Sequence, residues 1–163
     1  MENFRNKSIQ LILADDDPDD RELFTETIKD IAPSASLHAF EDGRGLLAYL
    51  DKCDNPGPDI IFLDINMPYI CGKECLKKIR THSKFRDTPV IIFSTSTDEN
   101  DIYETYKYGA NLFITKPGSY MEQVDVFHRF FALYHQGKLM DRVMASFVLI
   151  PTVNIYPGAS QAM

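Results

Sequence analysis

The stretch LILADDDPDD, Leu11–Asp20, places five aspartates directly after a short apolar run. Carboxylates this close repel one another: at about 4 Å and an effective dielectric constant near 20, each pair costs on the order of 4 kcal/mol. The cluster therefore needs a bound cation, a helix N-terminus or solvent to offset the repulsion. Asp17 before Pro18 supplies one answer, because a capping aspartate followed by a first-turn proline predicts the start of a helix.

The length and composition are typical of one globular domain. The chain has 163 residues, 44% of them hydrophobic and 25% charged, and its apolar runs are far shorter than the ~18 residues needed to span a membrane. The opening MENFRNKSIQ does not resemble a signal peptide, and three cysteines are an odd count, so we expect reduced thiols and a cytoplasmic protein. A net charge of −7 argues against binding a nucleic acid backbone.

Strand-length apolar runs alternate with segments of helical spacing along most of the chain. The runs are SIQLILAD, SLHAF, DIIFLD, VIIFS and NLFIT. Such alternation predicts an α/β fold in which a parallel sheet is covered by helices on both faces. Gly43 and Gly72 mark helix entries, Gly109 ends the fourth helix, and the fifth helix is expected over about residues 119–136.

Polar side chains follow four of these predicted strands. Asp15 and Asp16 follow the first, Asp64 the third, Ser94 ends the fourth, and Lys116 follows the fifth. Ligands of open α/β sheets bind beyond the carboxyl ends of the strands, so we expect these five side chains to converge. The three aspartates are too few for a closed calcium cage but suit Mg²⁺, which keeps several waters.

This set of groups predicts phosphoryl transfer to a carboxylate. Asp64 can act as the nucleophile toward a phosphoryl group. Mg²⁺, the Lys116 ammonium and the Ser94 hydroxyl can then offset the charge on the phosphoryl oxygens. The expected product is a phosphorylated aspartate.

Four segments in this order resemble the receiver domain of two-component response regulators, over about residues 7–137. They are LILADDDPDD, DIIFLDINMPYICGKECLKKIR, PVIIFSTS and YGANLFITKP. The resemblance implies a flavodoxin-like, three-layer fold with a five-stranded parallel sheet of order 2-1-3-4-5.

The resemblance also implies roles for residues around the phosphoryl group. It makes Asp64 the phosphoacceptor, Asp16 a direct Mg²⁺ ligand, Asp15 a ligand through water, and the backbone carbonyl of Asn66 a third protein ligand. Lys116 is then the residue that binds a phosphoryl oxygen. It precedes Pro117 through a peptide bond that is often cis in this family.

Two further residues carry the conformational switch in this interpretation. Ser94 is the switch hydroxyl, and Phe113 is the aromatic that swings inward on activation. The family more often has Thr at position 94, and often an acidic residue where this chain has Cys71. A serine keeps the hydroxyl but has looser rotamer control, because it is not β-branched.

Three alternatives use a similar fold. A haloacid-dehalogenase-type phosphatase needs a second aspartate two residues after the nucleophile, where this chain has Asn66. A flavodoxin needs a phosphate-binding loop after the first strand, where this chain has acids that repel the phosphate of FMN. A receiver that is never phosphorylated and only scaffolds a partner is the third, and phosphotransfer to Asp64 would exclude it.

The receiver, residues 1–137, is followed by no recognisable output domain. We therefore expect a single-domain response regulator, not an enzyme beyond its own phosphorylation and dephosphorylation. It is phosphorylated by a histidine kinase or a histidine phosphotransfer protein and binds a target protein through helix 4, strand 5 and helix 5. Helix 5 has more aromatics than one buried stripe needs, so some should face outward or toward a partner: Phe127, Phe130, Phe131 and Tyr134.

The tail, residues 138–163, contains the apolar run MASFVLIPTVNIY. Each large apolar side chain left in water forgoes about 1.5 to 3 kcal/mol, so this run should pack. It can serve as an intramolecular cover on helix 5 or as a dimer arm across a two-fold axis. We favour a homodimer, because arm exchange would bury the spare aromatic surface of helix 5.

Overall fold

A computed structural model describes residues 8–54 and 56–152 of the chain. One parallel sheet has the order β2-β1-β3-β4-β5-β6. The strands are β1 (Gln10–Ala14), β2 (Ser36–Phe40), β3 (Ile60–Leu63), β4 (Val90–Ser94), β5 (Leu112–Thr115) and β6 (Val148–Leu149). The helices are α1 (Pro18–Ile31), α2 (Gly43–Lys52), α3 (Gly72–Thr81), α4 (Glu99–Lys107) and α5 (Tyr120–His135).

Two apolar clusters cover the two faces of the sheet, because successive strand residues point to opposite sides. On one face, side chains such as Ile61 and Ile92 pack with residues of α2, α3 and α4. On the other face, side chains such as Phe62 and Phe93 pack with residues of α1 and α5. The predicted α/β arrangement and the order of the first five strands are thus confirmed. Among the described residues, no helix combines the length and apolar character needed to cross a membrane.

The first helix begins as its sequence predicts. The Asp17 carboxylate accepts hydrogen bonds from the backbone N–H groups of Asp19 and Asp20, and Pro18 opens the helix. The cap satisfies N–H groups that have no partner within the helix. It also sends the chain away from the sheet immediately after Asp15 and Asp16, so these two residues stay at the rim.

The expected count of five strands is wrong, because the described part of the tail adds a sixth. Two 3-10 turns, Lys138–Met140 and Met144–Ser146, lead into β6, which pairs in parallel with β5 at Phe113 and Ile114. Edge strands present unpaired backbone groups. The tail pairs with the backbone groups at the edge of β5 through β6. This strand is too short to be predicted from an alternation of apolar residues.

Polar contacts also attach the tail to its own chain. The Asn111 side-chain amide donates to the Leu139 carbonyl at 3.0 Å, and Arg142 Nε donates to the Ala110 carbonyl at 2.8 Å. These bonds join the segment between α4 and β5 to the first half of the tail. Residues from 153 onward, including the end of the apolar run, lie outside the described residues.

The expectation that aromatics of α5 face outward is wrong for its three phenylalanines. Phe127 and Phe130 are fully buried, and Phe131 is only 9% exposed. The same apolar cluster contains Leu139 and Leu149 of the tail, so the tail covers part of this helix. Tyr134 is partly buried and packs against the cluster as well.

Candidate functional site

Three aspartates meet where β1 and β3 end. Asp15, Asp16 and Asp64 each offer a carboxylate oxygen, and these atoms all lie within 4.8 Å of one another. The strands are neighbours, and Asp64 N–H donates to the Ala14 carbonyl at 2.9 Å, which aligns the two strand ends. Asp15 and Asp64 are buried, whereas Asp16 is exposed.

Lys116 follows β5, which lies two strands away from β3 in the sheet, and its side chain extends to this cluster. Its Nζ lies 2.8 Å from Asp15 Oδ2, 2.8 Å from Asp20 Oδ2 and 3.2 Å from Asp64 Oδ2, and its side chain is 8% exposed. The backbone N–H of Lys116 donates to the Ser94 carbonyl at 2.8 Å, which keeps the end of β5 level with the end of β4. The predicted convergence of Asp15, Asp64 and Lys116 is therefore present.

The ion pair of Asp20 with Lys116 was not predicted from the sequence. The signal available in the sequence was the position of Asp20 in the first turn of α1, next to the rim. Only the packing of α1 against the sheet shows that this side chain turns toward Lys116.

Among the described residues, four carboxylates lie at this rim: the Lys116 ammonium is within ion-pair distance of Asp15, Asp20 and Asp64, and Asp16 lies beside Asp15 and Asp64. The Arg21 guanidinium is also close, since it donates to the Asp15 carbonyl. Burial raises the pKa of Asp15 above its usual value, although the neighbouring ammonium group of Lys116 opposes the shift. Burial acts to lower the pKa of Lys116, but its contacts with the carboxylates of Asp15, Asp20 and Asp64 leave it raised. Lys116 is therefore a cation at neutral pH. Negative charge remains in excess at the cluster and would attract a further cation.

A divalent cation fits the donors present. Among the described residues, Asp15 Oδ2 is a buried oxygen without an aligned hydrogen bond, although it lies within ion-pair distance of Lys116. A metal ion would satisfy this oxygen. The donors are carboxylate oxygens, which are the hard ligands that Mg²⁺ prefers. Asn66 is exposed in the loop after β3, and the metal role of its carbonyl stays a prediction.

The return of the loop after β3 is tight. A Cβ atom at Gly72 would lie 2.1 Å from the Asp64 carbonyl oxygen, and Gly72 N–H donates to the Ile65 carbonyl at 2.9 Å. A glycine is required here because α3 starts directly against the backbone of Asp64. Tyr69 of the same loop has a φ of 67°, a conformation that costs free energy in residues other than glycine and is common near functional sites.

The two predicted switch residues lie in β4 and β5. Ser94 is fully buried, and its Oγ accepts a hydrogen bond from Ser96 N–H at 3.2 Å. Phe113 is also fully buried, with its ring centroid 6.3 Å from that of Phe147 in the tail. The ring of Phe147 contacts Tyr106 of α4 as well, at 5.1 Å. The tail thus covers the aromatic residue that was expected to move.

Comparison with known proteins finds a family model and several response regulators that are similar to this chain. Residues 11–126 match the family model of the response regulator receiver domain. Response regulator Rcp1 of Synechocystis sp. is 29% identical over 110 residues, which cover 65% of this chain and 75% of Rcp1. Chemotaxis protein CheY-3 of Vibrio cholerae is 29% identical over 117 residues, which cover 72% of this chain and 87% of CheY-3.

Solved structures that superpose on this chain include response regulators as well. The phosphorylated cyanobacterial phytochrome response regulator RcpA superposes with a TM-score of 0.73 at 26% identity, covering 80% of this chain and 96% of RcpA. The Mn²⁺-bound form of Rcp1 gives a TM-score of 0.69 at 25% identity, covering 77% of this chain and 94% of Rcp1. The family model matches well over half of the chain, and the fold agrees with it. This chain therefore belongs to the response regulator receiver domain family.

Proposed function

We propose that Asp64 accepts a phosphoryl group from a histidine kinase or a histidine phosphotransfer protein, and that the chain is a single-domain response regulator. The observation that carries this proposal is the meeting of Asp15, Asp16, Asp64 and Lys116 at one rim of the sheet. The described cysteines Cys53, Cys71 and Cys75 are free thiols, which accords with a cytoplasmic location.

In the proposed reaction, an oxygen of Asp64 forms a bond to phosphorus as the bond between phosphorus and the donor breaks. Lys116, which now contacts Asp64 Oδ2 at 3.2 Å, then binds an oxygen of the transferred group. Asp15 and Asp16, with the carbonyl of Asn66, would hold Mg²⁺. When bound, Mg²⁺ offsets negative charge on the phosphoryl oxygens.

Phosphorylation would be read by Ser94, whose hydroxyl accepts from Ser96 N–H and still has its own proton to donate. Donation to a phosphoryl oxygen would favour a different arrangement of the loop between β4 and α4. A ligand shifts such an equilibrium only through contacts that differ between the two states, and a new hydrogen bond to Ser94 is such a contact.

The surface that binds a target protein includes α4 and α5. Between these helices, the tail replaces strand 5 as the exposed element. Because β6 occupies the edge of β5, a partner would contact residues 138–152 of the tail instead of the edge of strand 5 that was expected from the sequence. Exposed apolar side chains on α4 and the tail suit protein contact: Tyr103, Met140, Val143 and Met144. A second copy of the chain remains one candidate for this partner.

A phosphatase of the haloacid-dehalogenase type has less support. That chemistry needs an acid two residues after the nucleophile, and Asn66 offers an amide. The amide at position 66 therefore favours an aspartate that keeps the phosphoryl group over one that passes it quickly to water.

The test is transfer from acetyl phosphate, a small donor that needs no kinase. The wild-type chain with Mg²⁺ should gain one phosphoryl group by mass spectrometry, Asp64→Asn should gain none, and EDTA should prevent labelling. Asp54→Asn is the matched control, because Asp54 is exposed and should not affect labelling. Undiminished labelling of Asp64→Asn would refute the assignment, and an unlabelled wild-type chain would favour the scaffold alternative.

A further inference from the structure

An ion-pair network joins α3 to α4 beside the proposed switch. Lys73 Nζ, in the first turn of α3, lies 2.6 Å from Asp101 Oδ1 and 2.5 Å from Glu104 Oε2, both in α4. The lysine and Asp101 side chains are only 22% and 23% exposed. Pairs that are partly shielded from water are screened less by salt than pairs on an open surface.

The network continues from Asp101 to the switch hydroxyl. Ser96 Oγ donates to Asp101 Oδ2 at 2.5 Å, and Ser96 N–H donates to Ser94 Oγ at 3.2 Å. Hydrogen bonds to Lys73 and Ser96 lower the pKa of Asp101, so its carboxylate is ionised at neutral pH. A chain of direct contacts therefore connects Lys73 to Ser94.

The other end of this chain is anchored beside the phosphoacceptor. Lys73 follows Gly72, whose backbone packs so closely on Asp64 that a Cβ would lie 2.1 Å from the Asp64 carbonyl oxygen. The start of α3 cannot move relative to Asp64 without disturbing that contact. The backbone of Lys73 is therefore held in place beside Asp64, and a movement of the loop after β4 would have to break the contacts of that loop with Lys73.

Helix α4 buries few of its own residues, and its other contacts are mainly with the tail, through Tyr106 near its C-terminal end. Among its residues, Thr105 is the one that is buried, while Ile102 and Tyr106 are partly buried against the core. Elements with little buried apolar surface are those that open or shift most easily. The two ion pairs of Lys73 hold the first part of α4, and through Asp101 the loop before it, to α3.

We propose that Lys73 is a positioning residue that holds the β4–α4 loop in the arrangement seen here and so opposes the movement of Ser94 toward a phosphorylated Asp64. The inference rests on the proposed function. It adds that the loop arrangement found without a phosphoryl group is stabilised by a residue of α3, which touches neither the metal site nor Asp64.

The effect follows from the populations of two states. If binding at Asp64 requires a loop arrangement that the ion pairs disfavour, the apparent affinity is reduced by the fraction of molecules in that arrangement. Removing the pairs should tighten binding of a phosphoryl mimic by about two- to fivefold, the range expected for one or two partly exposed ion pairs.

The experiment measures binding of beryllofluoride with Mg²⁺ to the full chain, by the NMR signals of the loop amides. Lys73→Met removes the charge and keeps the apolar stem, and it should bind the mimic about two- to fivefold more tightly than the wild type. The amide signal of Ser96 should also shift in the absence of any ligand. Lys73→Arg keeps the charge and should restore wild-type affinity.

Lys78→Met is the matched control, because this lysine lies on the same helix but is exposed. It should leave the affinity unchanged. Asp101→Asn should act in the same direction as Lys73→Met, and the two changes should not be additive, because they remove the same pair.

Equal affinity of the wild type and Lys73→Met, or weaker binding by Lys73→Met, would overturn the role of Lys73 and leave the proposed function intact. Failure of the wild type to bind beryllofluoride would overturn the proposed function, and the role of Lys73 with it. Additive effects of the changes at Lys73 and Asp101 would show that these residues do not act together.

Discussion

The substitution Phe147→Ala tests whether the tail is part of the fold. Phe147 is 2% exposed, and its ring lies 5.1 Å from that of Tyr106 and 6.3 Å from that of Phe113. Its carbonyl also accepts a hydrogen bond from Phe113 N–H at 2.8 Å. This residue therefore joins the tail to both α4 and β5.

The expected loss is large for a residue so near the end of the described chain. Replacing a buried Phe with Ala costs about 3 to 5 kcal/mol in a protein core. The tail can relax or detach, so we expect the lower value, about 3 kcal/mol of the free energy of unfolding. For a chain of this length, each kcal/mol shifts the melting temperature by about 2 to 4 °C, which gives a decrease of about 6 to 12 °C.

Urea unfolding followed by far-ultraviolet circular dichroism measures this loss, because the chain has no tryptophan to serve as a fluorescent probe. Ile150→Ala is the control, since Ile150 is 58% exposed and its truncation should cost about 0.5 kcal/mol or less. Hydrogen exchange at the Phe113 amide should accelerate in Phe147→Ala only. Equal losses in the two variants, or a loss below about 1 kcal/mol in Phe147→Ala, would refute an integral role for the tail.

Three other outcomes are expected. Asp16→Asn should weaken Mg²⁺ binding in a calorimetric titration, because it removes one ligand charge, and wild-type affinity would contradict its role as a ligand. Ser94→Ala should still be labelled by acetyl phosphate but should lose the NMR response of Phe113 and α4, whereas a full response would show that another group reads the phosphoryl. In light scattering at several concentrations, the full chain should be monomeric, because its tail packs on its own β5 and α5; a homodimer that truncation after Gly137 abolishes would show that the tail is a dimer arm instead.

Local pattern in the sequence was enough to predict the position of the site. Each of the central strands is an apolar run that ends in a polar residue, and the ends of parallel strands share one edge of the sheet. Asp15, Asp64 and Lys116 could therefore be brought together before any distance was known. The cap at Asp17 was equally predictable, because a capping bond joins residues two or three positions apart.

Contacts between distant elements could not be predicted in this way. The ion pair of Lys116 with Asp20 and that of Lys73 with Asp101 depend on how helices pack on the sheet. Surface charges such as Asp20 and Lys73 look alike in a sequence whether or not they are paired. Their ion pairs are visible only from side-chain positions.

The sixth strand shows the same limit most clearly. The sequence by itself determined that the apolar residues around Phe147 must be buried, because leaving them in water costs free energy wherever they lie. It did not determine what buries them, and the expectation of spare aromatics on α5 was wrong as a result. Only the tertiary structure decided which surfaces bury these residues, because the edge of β5 and the face of α5 exist as surfaces only after the domain has packed. The strand β6 pairs with the edge of β5, and Leu149 packs in the cluster that covers α5.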